Sequence, residues 1–262
     1  CLRAAQHVPV QYLVGEWDFH QLSLEMKPPT LIPRPEMEEL VEVILRWVRR
    51  ELTAADGGDT LGRGTAEGGD GGGDELRFLD VGSGTGAIGL ALLKELPGAT
   101  CVAIDVQEPA VALSRRNAER NGLNGRYSCL HSGGLPGVNE ENFEGTFDFI
   151  VSNPPYIPKK DMAELPPDVA HHEDSIALDG GEDGLDVVRE IIRRCPRLLK
   201  KGGPRQLWME VDTSHPEAIQ RWLGLRVGQH GVQESHVNGV TMLEWLSDMS
   251  QRPRFVILTF AE

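Results

Sequence analysis

From residue 76 onward the chain alternates short apolar runs with amphipathic ones, and that alternation leaves few folds open. Residues 76–81, 100–105, 126–131, 146–151, 206–211 and 254–260 read as strands. Between them, 85–96 reads as a helix stopped by Pro97-Gly98, and 109–121 as a helix with proline at its first turn and Gly122 as its stop. A longer helix over 185–199 carries Val188, Ile191, Ile192, Cys195 and Leu198 on one side, and 216–223 is another. Strands and helices in strict succession predict an α/β fold, a mostly parallel sheet with helices on both faces.

The first part of the chain has a different grammar. Residues 16–19 and 22–26 alternate around a short turn, as a β-hairpin does. A stiff, extended, proline-rich segment over 28–35 follows. Residues 36–52 then place Met37, Leu40, Val41, Ile44, Leu45 and Val48 on one helical face. Residues 53–75 are rich in Gly, Asp and Thr with Leu61 as their one large apolar residue, a composition that predicts a flexible surface loop. The expected organisation is a linker, hairpin and helix over 1–52, the loop over 53–75, and a main domain over 76–262.

A chain of 262 residues is long enough for a large core, and its net charge of -14 repels phosphate backbones, which disfavours nucleic acid as a direct partner. The four cysteines, Cys1, Cys101, Cys129 and Cys195, show no paired spacing, so neither a metal site nor a disulfide framework is expected. No apolar run approaches the roughly 20 residues that span a bilayer, so no membrane partner is expected. Because the chain begins at Cys1 rather than Met, an upstream segment is expected to be missing, and the start is no guide to compartment.

Two stretches carry chemistry. Asp80-Val81-Gly82-Ser83-Gly84-Thr85-Gly86 falls where the first main strand turns into the first helix. Glycines there let the backbone turn sharply and approach a nucleotide closely. Asp105 ends the next strand, where a carboxylate can accept both hydroxyls of an adenosine ribose, each such bond contributing about 1.5–3 kcal/mol. Both NAD and S-adenosylmethionine enzymes use such an acid, so the pair predicts an adenosine pocket without naming its occupant. Asn153-Pro154-Pro155-Tyr156, at the end of the strand over 146–151, separates them. Two prolines forbid a continued ladder and stiffen the loop. A side-chain oxygen of Asn153 and the Pro154 carbonyl could accept the two hydrogens of a planar nitrogen, and Tyr156 could wall the flat group. That arrangement suits methyl transfer to an amide or exocyclic amino nitrogen by positioning and fixed dipoles.

With these residues in view, the chain resembles the HemK/PrmC-like family of release factor protein-(glutamine-N5) methyltransferases, and most closely its mitochondrial branch. The resemblance runs nearly end to end: Pro9-Val10-Gln11-Tyr12-Leu13-Val14-Gly15 with Trp17 and Phe19, Leu31-Ile32-Pro33-Arg34-Pro35-Glu36, residues 80–89, Asp105, Asn117-Ala118, and Val151 through Tyr156. Glu173, Ala177-Leu178-Asp179-Gly180-Gly181, Asp183-Gly184-Leu185 and the mitochondrial-looking Arg252-Pro253-Arg254-Phe255 complete it. It implies a seven-stranded, Rossmann-like class I methyltransferase sheet preceded by the hairpin and linker helix. S-adenosylmethionine would sit against Asp80, Gly82, Ser83, Gly84, Thr85, Gly86, Asp105 and Asn153. The substrate would be the glutamine of a release factor's GGQ loop, held by Asn153, Pro154, Pro155 and Tyr156, with Asn153, Pro154 and Tyr156 as the catalytic set and Arg34 shaping the pocket mouth. A mitochondrial location, otherwise a cytoplasmic one, follows from the same likeness.

The chain departs from the family in three places. His131-Ser132-Gly133-Gly134 replaces an acidic residue and its apolar neighbour beside the adenine, and Ala170, His171, His172 and Ser175 replace basic, aromatic and proline positions. His172 is expected to stand in for an aromatic wall. The family's N-terminal helical domain is represented only by its last few residues, and a truncated catalytic body is expected. The competing expectations are an adenine or guanine amino-methyltransferase on DNA or RNA, a non-catalytic binding protein that keeps the fold, and a NAD oxidoreductase.

Overall fold

A computed structural model describes residues 6–55, 75–133, 140–225 and 239–262, so most of the expected flexible loop (56–74) and Gly134 lie outside the described residues. A one-turn helix, α1 (Val10–Val14), leads into the hairpin of β1 (Glu16–Phe19) and β2 (Leu22–Glu25). The proline-rich segment then delivers the chain into α2 (Pro35–Ala55), whose first residue is the proline that a helix tolerates at its start. The helix runs into the beginning of the stretch expected as loop.

The second part alternates as its sequence predicts. β3 (Leu76–Val81), α3 (Ala87–Glu95), β4 (Ala99–Asp105), α4 (Glu108–Arg120) and β5 (Tyr127–His131) come first, followed by α5 (Glu140–Phe143) and β6 (Phe149–Ser152). Then come α6 (Pro167–Ala170), α7 (Asp186–Leu198), β7 (Gln206–Glu210), α8 (His215–Leu223), β8 (Val240–Ser247) and β9 (Pro253–Phe260). Strands β3 to β9 form one seven-stranded sheet in the order β5-β4-β3-β6-β7-β9-β8. The first five are mutually parallel, and β9 runs antiparallel to both β7 and β8.

Side-chain alternation divides the core into two layers. Phe78, Phe149, Val151 and Trp208 face α2, α3 and α4 together with the hairpin residues Phe19, Leu22 and Leu24. Leu79, Ile150, Leu207 and Met209 face α7 and α8 on the other side. The hairpin and α2 therefore share one core with the sheet. An aromatic cluster fixes that join: Phe78 stacks on Phe149 at 5.0 Å between centroids, and Trp47 of α2 meets Phe149 edge-on at 5.6 Å and Trp208 at 5.3 Å. Asn117 of α4 is a polar counterpart. Fully buried, it accepts the Glu25 N–H at 2.6 Å and donates to the carbonyls of Glu25 and Thr85 at 3.2 and 2.9 Å.

Two differences from the sequence reading have local causes. The fourth main strand is shorter than 146–151, because Asp148 turns its carboxylate inward to take the Arg77 N–H at 2.7 Å and the Lys200 ammonium at 3.1 Å. Phe147 makes only an isolated bridge to Leu199. Strand β8 was not visible as a pattern. It is the sheet edge, with Val240 its one buried residue, so its composition need not alternate.

Phe149 touches both Phe78 and Trp47 and is fully buried. Phe149→Ala should therefore lose about 3–5 kcal/mol of stability, read as a lower urea midpoint at unchanged slope. A midpoint within error of wild type would contradict this account of how α2 is joined to the sheet.

Candidate active site

Strands β3 and β6 are neighbours, yet the chain leaves them in opposite directions, toward β4 and toward β7. Their carboxyl ends are consequently a topological switch point, where two connections part and leave a crevice. A cavity of about 380 Å³ occupies it. Its floor is closed by Ser152, whose buried hydroxyl donates to the Val81 carbonyl at 2.7 Å and ties the two strand ends together.

The glycine turn forms one wall. The N–H groups of Gly82 and Ser83 donate to the Ile104 carbonyl at 2.9 and 3.1 Å, bending the chain back over β4. Gly82 and Gly84 line the cavity. Gly86 does not, but it has φ +84° and a Cβ there would sit 3.0 Å from Leu90 and 3.1 Å from Ser114 and the Tyr127 hydroxyl. Its role is to let α3 start close to the sheet. Ser83 and Thr85 are buried behind the turn, Ser83 against the Cys129 sulfur at 3.3 Å and Thr85 with its carbonyl on Asn117.

The two aspartates separate in role. Asp105 lines the cavity, its oxygens accepting the N–H groups of Gly84 at 2.8 Å and Gln107 at 2.9 Å. Burial pushes its carboxyl above the usual range, opposed by those backbone donors. Asp80 lies beneath the turn rather than on the wall, accepting the Gly89 N–H of α3 at 3.1 Å. It is 1% exposed, and burial pushes its carboxyl up to about 7 against the pull of that N–H.

The opposite wall is Asn153, Pro154 and Pro155. Tyr156 is not part of it. The chain turns there, sending the phenol toward β7, where its hydroxyl donates to Glu210 at 3.3 Å and its ring meets His215 edge-on at 6.5 Å. The segment beyond is strapped down by Ile157 and Gly180, each donating its N–H to a carbonyl of the other stretch at 2.9 Å. Arg34 is also off the wall. Its guanidinium donates to both oxygens of the buried Glu173 at 2.7 and 2.8 Å, fixing the proline segment to the stretch after Tyr156.

The cavity also recruits residues to which the sequence assigned no site role, beside Leu31, Ser132 and Ala177 from the segments already noted. Thr30 and Leu31 come from the proline segment, Val106, Gln107, Ala110 and Ser132 from the far side of Asp105, and Ile176 and Ala177 from beyond Tyr156. Asp186, Val187, Glu190 and Ile191 come from the first turns of α7, a spacing that marks one helical face. Ser132 stands within the departure noted at 131–134: its N–H donates to the Asp105 carbonyl at 2.9 Å, while the His131 ring bonds the Val106 carbonyl at 3.0 Å. His172 is not a wall. It is half-buried and bonds the Gln6 carbonyl at 2.8 Å. Among the described residues no cluster of His, Cys, Asp or Glu has a metal-holding arrangement, and no helix is long and apolar enough to cross a membrane.

The raised carboxyl of Asp80 has a measurable consequence. Its folded value of about 7 exceeds the ordinary 3.8, so the fold takes up a proton between them. Stability carried by this group is then full at low pH and is lost as pH rises through the folded value. Asp80→Asn keeps an oxygen for Gly89 but no charge. Its melting temperature relative to wild type should rise by on the order of 5 °C between about pH 5 and about pH 8. A difference independent of pH would oppose a buried, titrating Asp80.

The chain matches the Methyltransferase small domain family over residues 73–169. It is 41% identical to the human MTRF1L release factor glutamine methyltransferase, over 97% of this chain and 68% of that protein. It is 38% identical to the release factor glutamine methyltransferases of Gloeobacter violaceus and Agrobacterium fabrum, over 77% of this chain and 61% and 62% of theirs. In structure it is similar to the catalytic domain of hMettl16, with TM-score 0.61 and 16% identity over 93% of this chain and 77% of that one, a likeness of fold. Seven strands in this order, a glycine turn facing an Asn-Pro-Pro loop across one crevice, and these relatives agree: the chain belongs to the release factor glutamine methyltransferase family.

Proposed function

We propose that this chain transfers a methyl group from S-adenosylmethionine to the side-chain nitrogen of the GGQ-loop glutamine of a peptide-chain release factor, in the mitochondrion. The observation that carries this reading is that Asn153, Pro154 and Pro155 face Gly82, Gly84 and Asp105 across one cavity. The residues present fit the cofactor. A positive-φ glycine turn brings bare backbone to the wall, and the Asp105 carboxylate, with about four acceptor sites, keeps acceptor capacity for a ribose hydroxyl beyond its backbone donors Gly84, Gln107 and Val106. S-adenosylmethionine supplies an electrophilic methyl on a sulfonium.

The remaining work falls to the chain. An amide nitrogen is a poor nucleophile because its lone pair is delocalised into the carbonyl. The Asn153 side-chain oxygen and the Pro154 carbonyl accept its two hydrogens, fixing the plane of the amide and turning the nitrogen toward the methyl. Neither acceptor is engaged by another group among the described residues. The proline pair holds both rigidly, so little reorganisation is needed at reaction. When bound, the cofactor would supply the methyl carbon, its S–C bond breaking as the N–C bond forms, and the proton displaced from the nitrogen would pass to solvent, since neither Asn153 nor Pro154 is a base. Ser132, Val106 and Ala110 are assigned to the adenine end of the cavity, and Asp186 and Glu190 to its outer rim.

The chain spans 68% of its human relative and less of the bacterial ones, so recognition of the whole release factor is part of the proposal. So is the division into a catalytic body over 76–262 and a linker, hairpin and helix over 1–52. The mitochondrial location rests on the resemblance to the family's mitochondrial branch, which the C-terminal Arg252-Pro253-Arg254-Phe255 shares. With glutamine methyltransferases as the relatives, the nucleobase, binding-only and NAD readings are not carried forward.

Labelled S-adenosylmethionine should mark a release factor and leave its GGQ-glutamine variant unmarked; equal labelling of both would sink the proposal. Asn153→Ala should lower kcat by about 100-fold or more with cofactor affinity nearly unchanged. Asp105→Ala should weaken cofactor binding by about tenfold or more, measured by titration calorimetry. The reverse assignment of these two losses would overturn the roles given to the two walls.

A further inference from the structure

We infer that Glu210 is a positioning residue for the methyl-accepting loop, holding Tyr156 by its hydroxyl and thereby setting how Asn153 and Pro154 face the cavity. This deepens the proposed function and rests on it. The basis is where the loop goes. Strand β6 lies beside β7 with Ser152 opposite Met209, so the chain leaving β6 passes the end of β7, where Glu210 is the last residue. Glu210 is 1% exposed, and one oxygen takes the Tyr156 hydroxyl at 3.3 Å while the other has no hydrogen-bond partner among the described residues. A buried carboxyl with an unmet oxygen is a stability cost, and such groups call for an explanation beyond packing.

The rest of Tyr156 is fenced. A Cβ on Gly180 would lie 2.8 Å from the Tyr156 Cα, and one on Gly184 would clash with its carbonyl oxygen. With the backbone held on that side and the ring edge against His215, the hydroxyl bond fixes the remaining freedom. Pro154 and Pro155 have nearly fixed φ, so a displacement of Tyr156 is passed to Asn153 rather than absorbed.

Tyr156 faces Glu210 from the loop, Arg254 from β9, Glu36 from the start of α2 and Arg34 from the proline segment. Burial pushes the Glu210 carboxyl up to about 7, with Arg254 drawing it back and Glu36 adding to the push. Above that value the carboxylate is a strong acceptor for the phenol; below it the neutral acid is a weak one. The Glu210-dependent part of turnover therefore rises with pH through about 7.

The test compares wild type, Glu210→Ala, Glu210→Gln and Tyr156→Phe in steady-state methylation of a release factor, with cofactor affinity measured separately. Glu210→Ala and Tyr156→Phe should each raise KM for the release factor or lower kcat, by about tenfold in kcat/KM, while cofactor affinity stays within about twofold. Glu210→Gln keeps a neutral acceptor and should recover only part of the loss, to the level that wild type shows below about pH 7, while abolishing the step near neutral pH. A second readout needs no turnover. In a chain carrying 3-fluorotyrosine at its three tyrosines, the fluorine resonance lost in Tyr156→Phe should titrate near pH 7 in wild type and not in Glu210→Gln. Should wild type label no glutamine, the functional reading fails, while a titrating Tyr156 resonance still supports the hold of Glu210 on the loop. A Tyr156 resonance indifferent to Glu210→Gln, equal losses in the Ala and Gln variants, or wild-type kinetics in Glu210→Ala would each overturn the inference.

Discussion

The pairing of β3 with β6 is the constraint on which the rest of this structure depends. Residues 78–81 lie in parallel register with 149–152, so Val81 and Ser152 end side by side, and the Ser152 hydroxyl closes on the Val81 carbonyl at 2.7 Å. Both chain segments beyond this point must turn away from each other. One does so with glycines, the other with prolines. A flexible backbone able to approach a ligand closely and a stiff backbone able to present fixed acceptors are thereby set on facing walls of one crevice.

Each wall has its own support. The glycine turn is held from below by Asp80 on Gly89 and from behind by Asn117, which also grips the hairpin at Glu25. The hairpin is thus tied to the glycine-turn side of the crevice. The Asn-Pro-Pro loop is held from the other direction, by Glu210 on Tyr156, by the stretch at 178–181 on Ile157, and by Arg34 on Glu173. Of the acids that line the crevice, Asp105 is buried, whereas Asp186 is exposed and Glu190 half-buried.

The parallel core and the two chemical loops were legible because each obeys a local rule. Strands buried on both faces read as continuous apolar runs, and Gly and Pro fix backbone geometry wherever they stand. Edge strand β8 was not legible, since an exposed edge carries no required period. Nor were the cavity residues of Thr30 and the first turns of α7, which meet only through tertiary packing across distant parts of the chain. Tyr156 was legible as a residue but not as an orientation. Its partner Glu210 stands 54 residues away, and only the adjacency of β6 and β7 brings the two together. Arg34 was similarly assigned to the pocket mouth, whereas its reach ends at Glu173.

The positions of Tyr156 and Arg34, behind the cavity lining, show how the loop is supported. Neither needs to touch a ligand to matter, because the prolines make the loop a lever. Between Asn153 and Tyr156 the backbone has few soft torsions, so whatever fixes the tyrosine end fixes the asparagine end. A half-buried ion pair and a buried phenol–carboxyl bond are poor ways to gain stability, since each buried carboxylate loses its hydration. They are good ways to select one loop conformation, because any other leaves a buried partner unmet. Methyl transfer to an amide demands that selectivity more than it demands a strong base: the nitrogen must be held in one plane, at one angle to the incoming methyl. Rigidity supplied from beneath the loop is therefore the catalytic resource this fold contributes.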